Sequence, residues 1–377
     1  MKFLLIPTYS ETVLTFRRSL IEELKRRGHE VVVVAHDDLF VQDVRALGVA
    51  FYCAKQNNRS INPLSFLQYK KQLRRYIEKE APDVVFTFQL KPNVFGIPAA
   101  RAAGVKKIYG MVEGAGDVFI HDSLKWKLIR FGVCKLYQYA FRFARNVFFL
   151  NQDDQQEFVS RKLVAENQCK IIPGIGVDLE RFAQKPIHNN RNFLMIARMI
   201  RTKGVLEYCH CARKVKQQYP DARFDYLGHE SELTVADIQE YIDDGSVNYL
   251  GAVKDVRANL EDASVLLLPS YREGMPMSIM EAEATGRAII TSDSVGCRET
   301  VVDGHNGFVL PRGDDVAMAE KCIYLIKHPE ELIRMGENSR RVAEERFDQR
   351  KINRHLANIL EGNGEIYGDQ GFYYEQS

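Results

Sequence analysis

The sequence predicts an α/β protein made of two doubly wound, parallel-sheet domains in tandem. Three observations predict it. Short apolar runs rich in Val, Ile and Phe alternate with helical patterns, as buried parallel strands and their crossovers do. The alternation halts in the polar stretch Gln184 to Arg191 and then restarts. The 377 residues, at roughly 150 per domain, suit two domains better than one.

In the first half, strands are expected at Phe3 to Pro7, Glu30 to Ala35, Asp83 to Phe88, Lys107 to Val112, Asn146 to Leu150 and Lys170 to Pro173. Helices are expected over Val13 to Arg27, ended by Gly28, and Pro63 to Lys79, ended near Pro82. In the second half, strands are expected at Asn192 to Ala197, Arg223 to Leu227, Val247 to Leu250, Ser264 to Pro269, Ala288 to Ser292 and Gly307 to Leu310. Helices over 315–327, 329–341 and 349–361 close the pattern. The domains therefore span 1–185 and 190–345, followed by a helix over 346–363 packing back toward the first domain and an aperiodic tail, 364–377. Open parallel sheets bind ligands beyond the carboxyl ends of their strands, so two Rossmann-like domains are expected to face across a substrate cleft.

The composition, 45% hydrophobic and 27% charged, excludes coil, collagen-like and mucin-like classes. Seven scattered cysteines suit reduced thiols in a cytoplasm better than a disulfide framework. The amino-terminal apolar run is too short for a secretory signal or a spanning helix. The net charge of +2 conceals an imbalance: residues 1–180 carry 27 Lys and Arg against 19 Asp and Glu, leaving 25 against 31 for the remainder. Much of the basic excess lies in Leu124 to Arg145, with six basic residues, no acid, and aromatics at helical spacing. Such a helix can lie on an anionic membrane surface; the alternative is a buried helix whose cations snorkel outward. No nucleic-acid motif accompanies it.

The strongest chemical cluster follows the strand Ser264 to Pro269. Glu273 stands in the loop, Gly274 and Pro276 lead into a helix, and Glu281 lies inside that helix. The amides of Met277 and Ser278 at the helix start suit a phosphate, while the carboxylates suit sugar hydroxyls. A lone carboxylate pair is more often structural, but a second cluster shifts that balance. Arg198 and Lys203 follow the strand Asn192 to Ala197 and can grip a diphosphate, with Arg201 a solvated bystander. Pro173-Gly174-Ile175-Gly176-Val177-Asp178 supplies glycines that let backbone approach a ligand, or a plain turn.

These residues resemble a retaining glycosyltransferase of the GT-B fold, the family called family four. Its Glu, seven residues, Glu hallmark is matched by Glu273 and Glu281, and Arg198, Lys203-Gly204, the run ending at Asp178, and Asp303-Gly304-His305-Asn306-Gly307 after Glu299 are similar too. The first half resembles, in Ser60-Ile61-Asn62-Pro63, Phe95-Gly96 and Val112-Glu113-Gly114-Ala115-Gly116, members that add an N-acetylhexosamine to a sugar on undecaprenyl diphosphate. The resemblance implies that Arg198 and Lys203 neutralise the diphosphate of a UDP-sugar, that Met277 and Ser278 face its β-phosphate, that Glu281 holds the ribose, and that Glu273 holds the moving sugar. It implies no resident cofactor and no metal, and the chain has no Asp-x-Asp pair of the metal-dependent transferases. The sequence departs from the family in two places. Glu113 stands where many members have a His, with His121 nearby, and Pro7 to Thr12, with Ser10 as a candidate substrate contact, replaces the usual paired glycines.

Other motifs fail. Gly114-Ala115-Gly116 lacks the third glycine of a dinucleotide site, Cys209-His210-Cys211 sets its side chains in different directions on a helix, and no nucleophile elbow occurs. The expectation is a cytoplasmic enzyme, peripheral on the inner membrane face, moving N-acetylgalactosamine or N-acetylglucosamine from a UDP-sugar to a polyprenyl-diphosphate-linked glycan. The rivals are a hexose donor, a nucleotide-sugar epimerase and a non-catalytic nucleotide-sugar binder.

Overall fold

The computed structural model describes residues 1–56, 63–114, 116, 119, 123–188 and 191–363. The chain forms two units: residues 1–175 with the helix from Arg350 onward, and residues 176–349. His121, the run Ser60 to Asn62 and the tail 364–377 lie outside the described residues.

The first unit is built on seven parallel strands: β1 (Lys2–Ile6), β2 (Glu30–Ala35), β3 (Ala50–Cys53), β4 (Val84–Phe88), β5 (Lys107–Val112), β6 (Asn146–Phe149) and β7 (Cys169–Ile171), in the order 3-2-1-4-5-6-7. The interior strands are apolar along their length because both faces are covered; Val31, Val32, Val33 and Val34 are all buried. The winding reverses between β1 and β4. Sequence reading omits β3, an edge strand of four residues that has no Val or Ile run and starts at an exposed Ala50.

The helix expected over Val13 to Arg27 is two helices, Ser10–Phe16 and Arg18–Arg26, broken at Arg17 with φ −121°. The break has a visible companion. Arg17 turns inward, its guanidinium 4.0 Å from the centroid of the Phe88 ring and paired with Glu113. The helix Leu124–Phe141 buries only Tyr137, Ala140 and Phe141. Leu124, Leu128 and Phe131 are exposed beside Lys125, Lys127 and Lys135, so its first half is not the buried helix of the alternative reading.

The helix Gln349–Glu361 joins this unit from Arg350 on. The Tyr109 hydroxyl of β5 donates to the Ile359 carbonyl at 3.1 Å, and Lys107 Nζ donates to the Glu361 carbonyl at 2.6 Å. The Glu361 carboxylate accepts from Arg27 at 3.0 Å and lies 2.7 Å from His29 Nε2.

The second unit has six parallel strands: β8 (Asn192–Ile196), β9 (Arg223–Leu227), β10 (Asn248–Gly251), β11 (Val265–Leu268), β12 (Ala288–Ser292) and β13 (Gly307–Leu310), in the order 10-9-8-11-12-13. Its winding reverses between β8 and β11, and the loops leaving those strands carry the two chemical clusters of the sequence. The polar stretch after Gln184 is tied to this unit. The Lys185 amide donates to the Thr285 carbonyl at 3.0 Å, and the buried Arg287 guanidinium donates to the Ala263 and Thr285 carbonyls at 2.8 and 3.0 Å.

Gly176 adopts φ +77°, and the space beside it is filled by protein. A Cβ there would lie 2.6 Å from Gln349 Cα and 2.9 Å from the Phe347 carbonyl oxygen. This corrects the expectation of close ligand approach: the glycine lets the chain pass against residues 347–349, where Val177 N–H donates to the Phe347 carbonyl at 2.7 Å. Gly176→Ala is expected to lower stability by more than about 1 kcal/mol through left-handed strain, with a further loss from the collision. Thermal unfolding measures it; an unchanged Tm would show that the crossing relaxes freely.

Candidate active site

The candidate site in the second unit starts from strand order. Because β8 and β11 are neighbours across the reversal, their exit loops lie side by side, the place where doubly wound sheets bind ligands. The loops are stitched by the Tyr271 amide donating to the Thr202 carbonyl at 2.8 Å. Lys203, at the end of the turn Arg201–Lys203, pairs directly with Glu273, and the two side chains are 18% and 11% exposed. Ser270 Oγ donates to the same Glu273 oxygen at 2.8 Å.

The backbone around this acid is fixed from the next strand. Glu273 N–H donates to the Val295 carbonyl at 2.8 Å, and Ser294 Oγ donates to the Ser270 carbonyl at 2.7 Å. Gly296 has φ +84°, and a side chain there would strike the Glu273 carbonyl. Gly296 N–H also donates to Glu299 at 2.7 Å, which gives Glu299 a structural use. The Asp303 to Gly307 turn is structural as well: Asp303 accepts from the Val309 amide at 2.9 Å, and Asn306 donates to the buried Glu283 at 2.8 Å.

The helix Met277–Thr285 follows half-buried Gly274 and buried Pro276, and no side chain among the described residues caps it. The Met277 and Ser278 amides therefore lack intrahelical acceptors, and the helix end carries about half a positive charge. Glu281 sits farther along this helix, half-buried. Burial pushes its carboxyl up to about 7, with Asp255 adding to the shift and the Arg181 guanidinium opposing it. Arg198 leaves β8 with an exposed guanidinium that has no hydrogen bond or ion pair among the described residues. Arg201 is a surface residue, 3.5 Å from Glu232.

In the first unit, Glu113 follows β5 and is held by Arg17, which is 3% exposed. Burial lowers the Arg17 guanidinium to about 9, so it stays charged at neutral pH, and its Nε has no hydrogen-bond partner among the described residues. Sequence reasoning missed Arg17 because one arginine in a helical pattern carries no signal. Ser10 is fully buried, its hydroxyl donating to Asp37 and accepting from the Phe40 amide at 3.1 Å. That corrects its expected substrate contact: the group is spent joining two loops. Cys209 and Cys211 are buried thiols on the helix Val205–Gln218, whereas His210 is exposed and 3.3 Å from Asp315.

A family model described as "Glycosyl transferases group 1" matches residues 190–328, and one described as "Glycosyl transferase 4-like" matches residues 2–151. The N,N'-diacetylbacillosaminyl-diphospho-undecaprenol alpha-1,3-N-acetylgalactosaminyltransferase of Campylobacter jejuni is 30% identical, over 86% of this chain and 89% of that protein. The chain is a family 4 glycosyltransferase. An Escherichia coli relative, UDP-Gal:alpha-D-GlcNAc-diphosphoundecaprenol alpha-1,3-galactosyltransferase, is 28% identical over 74% of this glycosyltransferase and 73% of its own length. The crystal structure of Anabaena Alr3699/HepE in complex with UDP matches 96% of the glycosyltransferase and 100% of that chain, with a TM-score of 0.79 at 18% identity, which shows a common GT-B fold.

The raised Glu281 carboxyl gives this glycosyltransferase a testable pH response. Its folded value of about 7 exceeds the ordinary value of about 4.3, so between those limits the native state binds more protons than the unfolded chain. Its contribution is then fully present below the unfolded value and is lost as pH rises through the folded one. The wild-type Tm is expected to fall more steeply between about pH 5 and pH 8 than that of Glu281→Gln, measured by calorimetry. Parallel profiles would remove the assignment.

Proposed function

We propose that this glycosyltransferase is a retaining enzyme that transfers N-acetylgalactosamine or N-acetylglucosamine from a UDP-sugar to a glycan on polyprenyl diphosphate. The observation that carries the reading is the contact of Lys203 with Glu273, buttressed by Ser270, just ahead of an uncapped helix amino end. A group bound by the ammonium and a group bound by the carboxylate must be close neighbours. In a nucleotide sugar the β-phosphate and the sugar ring share one oxygen, and they meet that requirement.

In this reading Lys203, Arg198 and the Met277 and Ser278 amides hold the diphosphate, Glu281 accepts from the ribose hydroxyls, and Glu273 accepts from the moving sugar. The bond from the anomeric carbon to the β-phosphate oxygen breaks, and the bond to the acceptor oxygen forms on the same face. The acceptor proton passes to the departing diphosphate, giving UDP and the extended glycan. The protein stabilises the negative charge that grows on the leaving group. The cations and amides supply the positive charge that a divalent metal would otherwise bring, so a chelator is expected to leave turnover unchanged. Glu113, oriented by Arg17, serves the acceptor side.

The names of the Campylobacter and E. coli relatives, both acting on diphospho-undecaprenol-linked sugars, support the acceptor class, and the UDP held by the Anabaena protein supports the donor. The E. coli name specifies galactose, which keeps a UDP-hexose donor as a second reading. No helix among the described residues is long and apolar enough to cross a membrane. Contact with an anionic inner membrane face is proposed through Leu124 to Arg145, whose exposed Leu124, Leu128 and Phe131 stand among lysines.

Released nucleotide is to be measured with UDP- and GDP-sugars, with and without lipid-linked acceptors and chelator. Acceptor-dependent UDP release is expected, and Lys203→Ala is expected to lower it by about 100-fold or more, the scale of losing one transition-state charge partner. A sugar product without acceptor would indicate an epimerase, and binding without turnover a non-catalytic subunit. Replacing Lys125, Lys127 and Lys135 by Gln is expected to weaken binding to phosphatidylglycerol vesicles, by about 1 kcal/mol per cation near the surface. Unchanged cosedimentation would reject docking through this helix.

A further inference from the structure

One peptide plane ties the candidate acid Glu273 to Glu299. The Val295 carbonyl accepts from Glu273 N–H at 2.8 Å, and Gly296 N–H, on the same peptide unit, donates to Glu299 Oε2 at 2.7 Å. A peptide unit is planar and rigid, so its carbonyl and its N–H turn together. The Glu299 carboxylate therefore fixes the direction in which the Val295 carbonyl meets Glu273, through a charge-assisted bond stronger than a neutral one. The other side of the contact has no slack. A Cβ on Gly296 would lie 2.4 Å from the Glu273 carbonyl oxygen and 2.6 Å from its carbonyl carbon, so the two backbones touch and a shift of one reaches the other.

Glu299 is held in turn. Its side chain is 14% exposed, and its Oε1 lies 3.6 Å from Arg298 Nε. The turn that carries it is closed by the Cys297 and Arg298 amides, which donate to the Ser294 carbonyl at 3.0 and 3.1 Å. Its carbonyl accepts from Arg346 Nη2 at 2.5 Å, at the carboxyl end of the helix Pro329–Arg346. The Arg346 charge also acts on the fully buried Glu283, whose carboxyl burial pushes well up and Arg346 draws back down. A continuous path of backbone and charged groups thus runs from the interior of the second unit to the back of Glu273.

We infer that Glu299 and Arg346 are positioning residues for Glu273, holding that acid in the orientation in which it grips the moving sugar. The inference rests on the transferase reading above. It separates from a plain folding role by one consequence. A residue that only stabilises the fold leaves the balance between UDP and UDP-sugar binding unchanged. A residue that orients Glu273 changes that balance, because UDP lacks the ring that Glu273 grips.

The test uses the full chain with Glu299→Ala, Glu299→Gln, Arg346→Lys, Glu273→Gln and the double variant Glu299→Ala with Glu273→Gln. Isothermal titration calorimetry gives Kd for UDP, UDP-N-acetylgalactosamine, UDP-N-acetylglucosamine and UDP-galactose, and acceptor-dependent UDP release gives kcat/KM. Glu299→Ala is expected to lower kcat/KM about tenfold, the effect of one lost hydrogen bond to a charged group, and to weaken sugar-nucleotide binding relative to UDP. The Kd for UDP should stay at the wild-type value. Glu299→Gln, whose carboxamide oxygen still accepts from Gly296 N–H, is expected to recover most of the loss. Arg346→Lys, which keeps the charge but not the planar fork, is expected to fall between wild type and Glu299→Ala. In the double variant the loss should equal that of Glu273→Gln alone, since Glu299 acts through that acid. Asn338→Ala removes a 2.9 Å bond to the His305 carbonyl elsewhere in the unit; it should lower Tm and leave the binding balance untouched. Where Glu299→Ala fails to fold, Glu299→Asp, one methylene short, carries the same expectations.

Additive losses in the double variant, or equal weakening of UDP and the sugar nucleotides, overturn the positioning role while leaving the transferase reading intact. Wild-type behaviour of Arg346→Lys overturns the part given to Arg346. Failure to release UDP from any donor overturns the transferase reading itself, and the calorimetric balance alone then decides whether Glu299 orients a sugar-binding acid.

Discussion

The contact of the Lys203 ammonium with the Glu273 carboxylate is the interaction on which the candidate site depends. Each group is mostly removed from water, and a desolvated charge is tolerated only when it is matched. The pair is possible because β8 and β11 are neighbours where the winding reverses, although most of a βαβ series separates them in the chain. Removing either member would leave its partner partly buried and unmatched, so each residue constrains the other loop. The constraint extends outward. Ser270 holds the carboxylate, Ser294 holds Ser270, and Gly296 leaves room for the Glu273 backbone, so the loop leaving β12 sets the geometry of an acid that it does not contain.

The two acids of the motif live in contrasting surroundings despite lying on one short stretch. Glu273 is matched by an ammonium and a hydroxyl, whereas Glu281 has no hydrogen-bond partner for its carboxylate among the described residues and titrates near neutrality because of burial. Environments that treat two carboxyls differently commonly separate their roles. Here the matched acid is suited to gripping a group that must be oriented throughout a reaction. The unmatched one is suited to accepting hydroxyls that arrive with a ligand.

Much of this architecture was legible because buried parallel strands are written in a few strongly apolar residues. Glu30–Ala35, Lys107–Val112, Arg223–Leu227, Ala288–Ser292 and Gly307–Leu310 have the expected bounds. The edge strand β3 escaped because its neighbours on one side are solvent, which removes the pressure for a branched apolar run. Motif spacing drew attention to Lys203 and Glu273, which pair in the structure, because both lie beside strand ends, where sequence order and spatial order nearly coincide. It failed where function and packing use the same residue type. A Ser in a polar loop, a Gly before a Val and a lone Arg read alike whether they face a ligand or the protein interior, and Ser10, Gly176 and Arg17 all turn out to face the interior. Only tertiary partners distinguish the cases, and those partners come from distant strands.

The charge of the two halves adds a last step. Residues 181–377 carry an excess of six acidic groups, yet they include the site proposed for a diphosphate. The conflict disappears once distance is considered: at physiological ionic strength charges beyond about 8 Å are largely screened. What a diphosphate meets there is set by Lys203, Arg198 and one helix end rather than by the sum over the half. A membrane presents an extended field instead, and a surface that answers it must be extended as well. The basic excess of residues 1–180, much of it along Leu124 to Arg145, has that form. Local charge therefore suits the proposed donor chemistry and distributed charge the proposed encounter with the lipid carrier, and the nearly neutral sum of the chain reports neither.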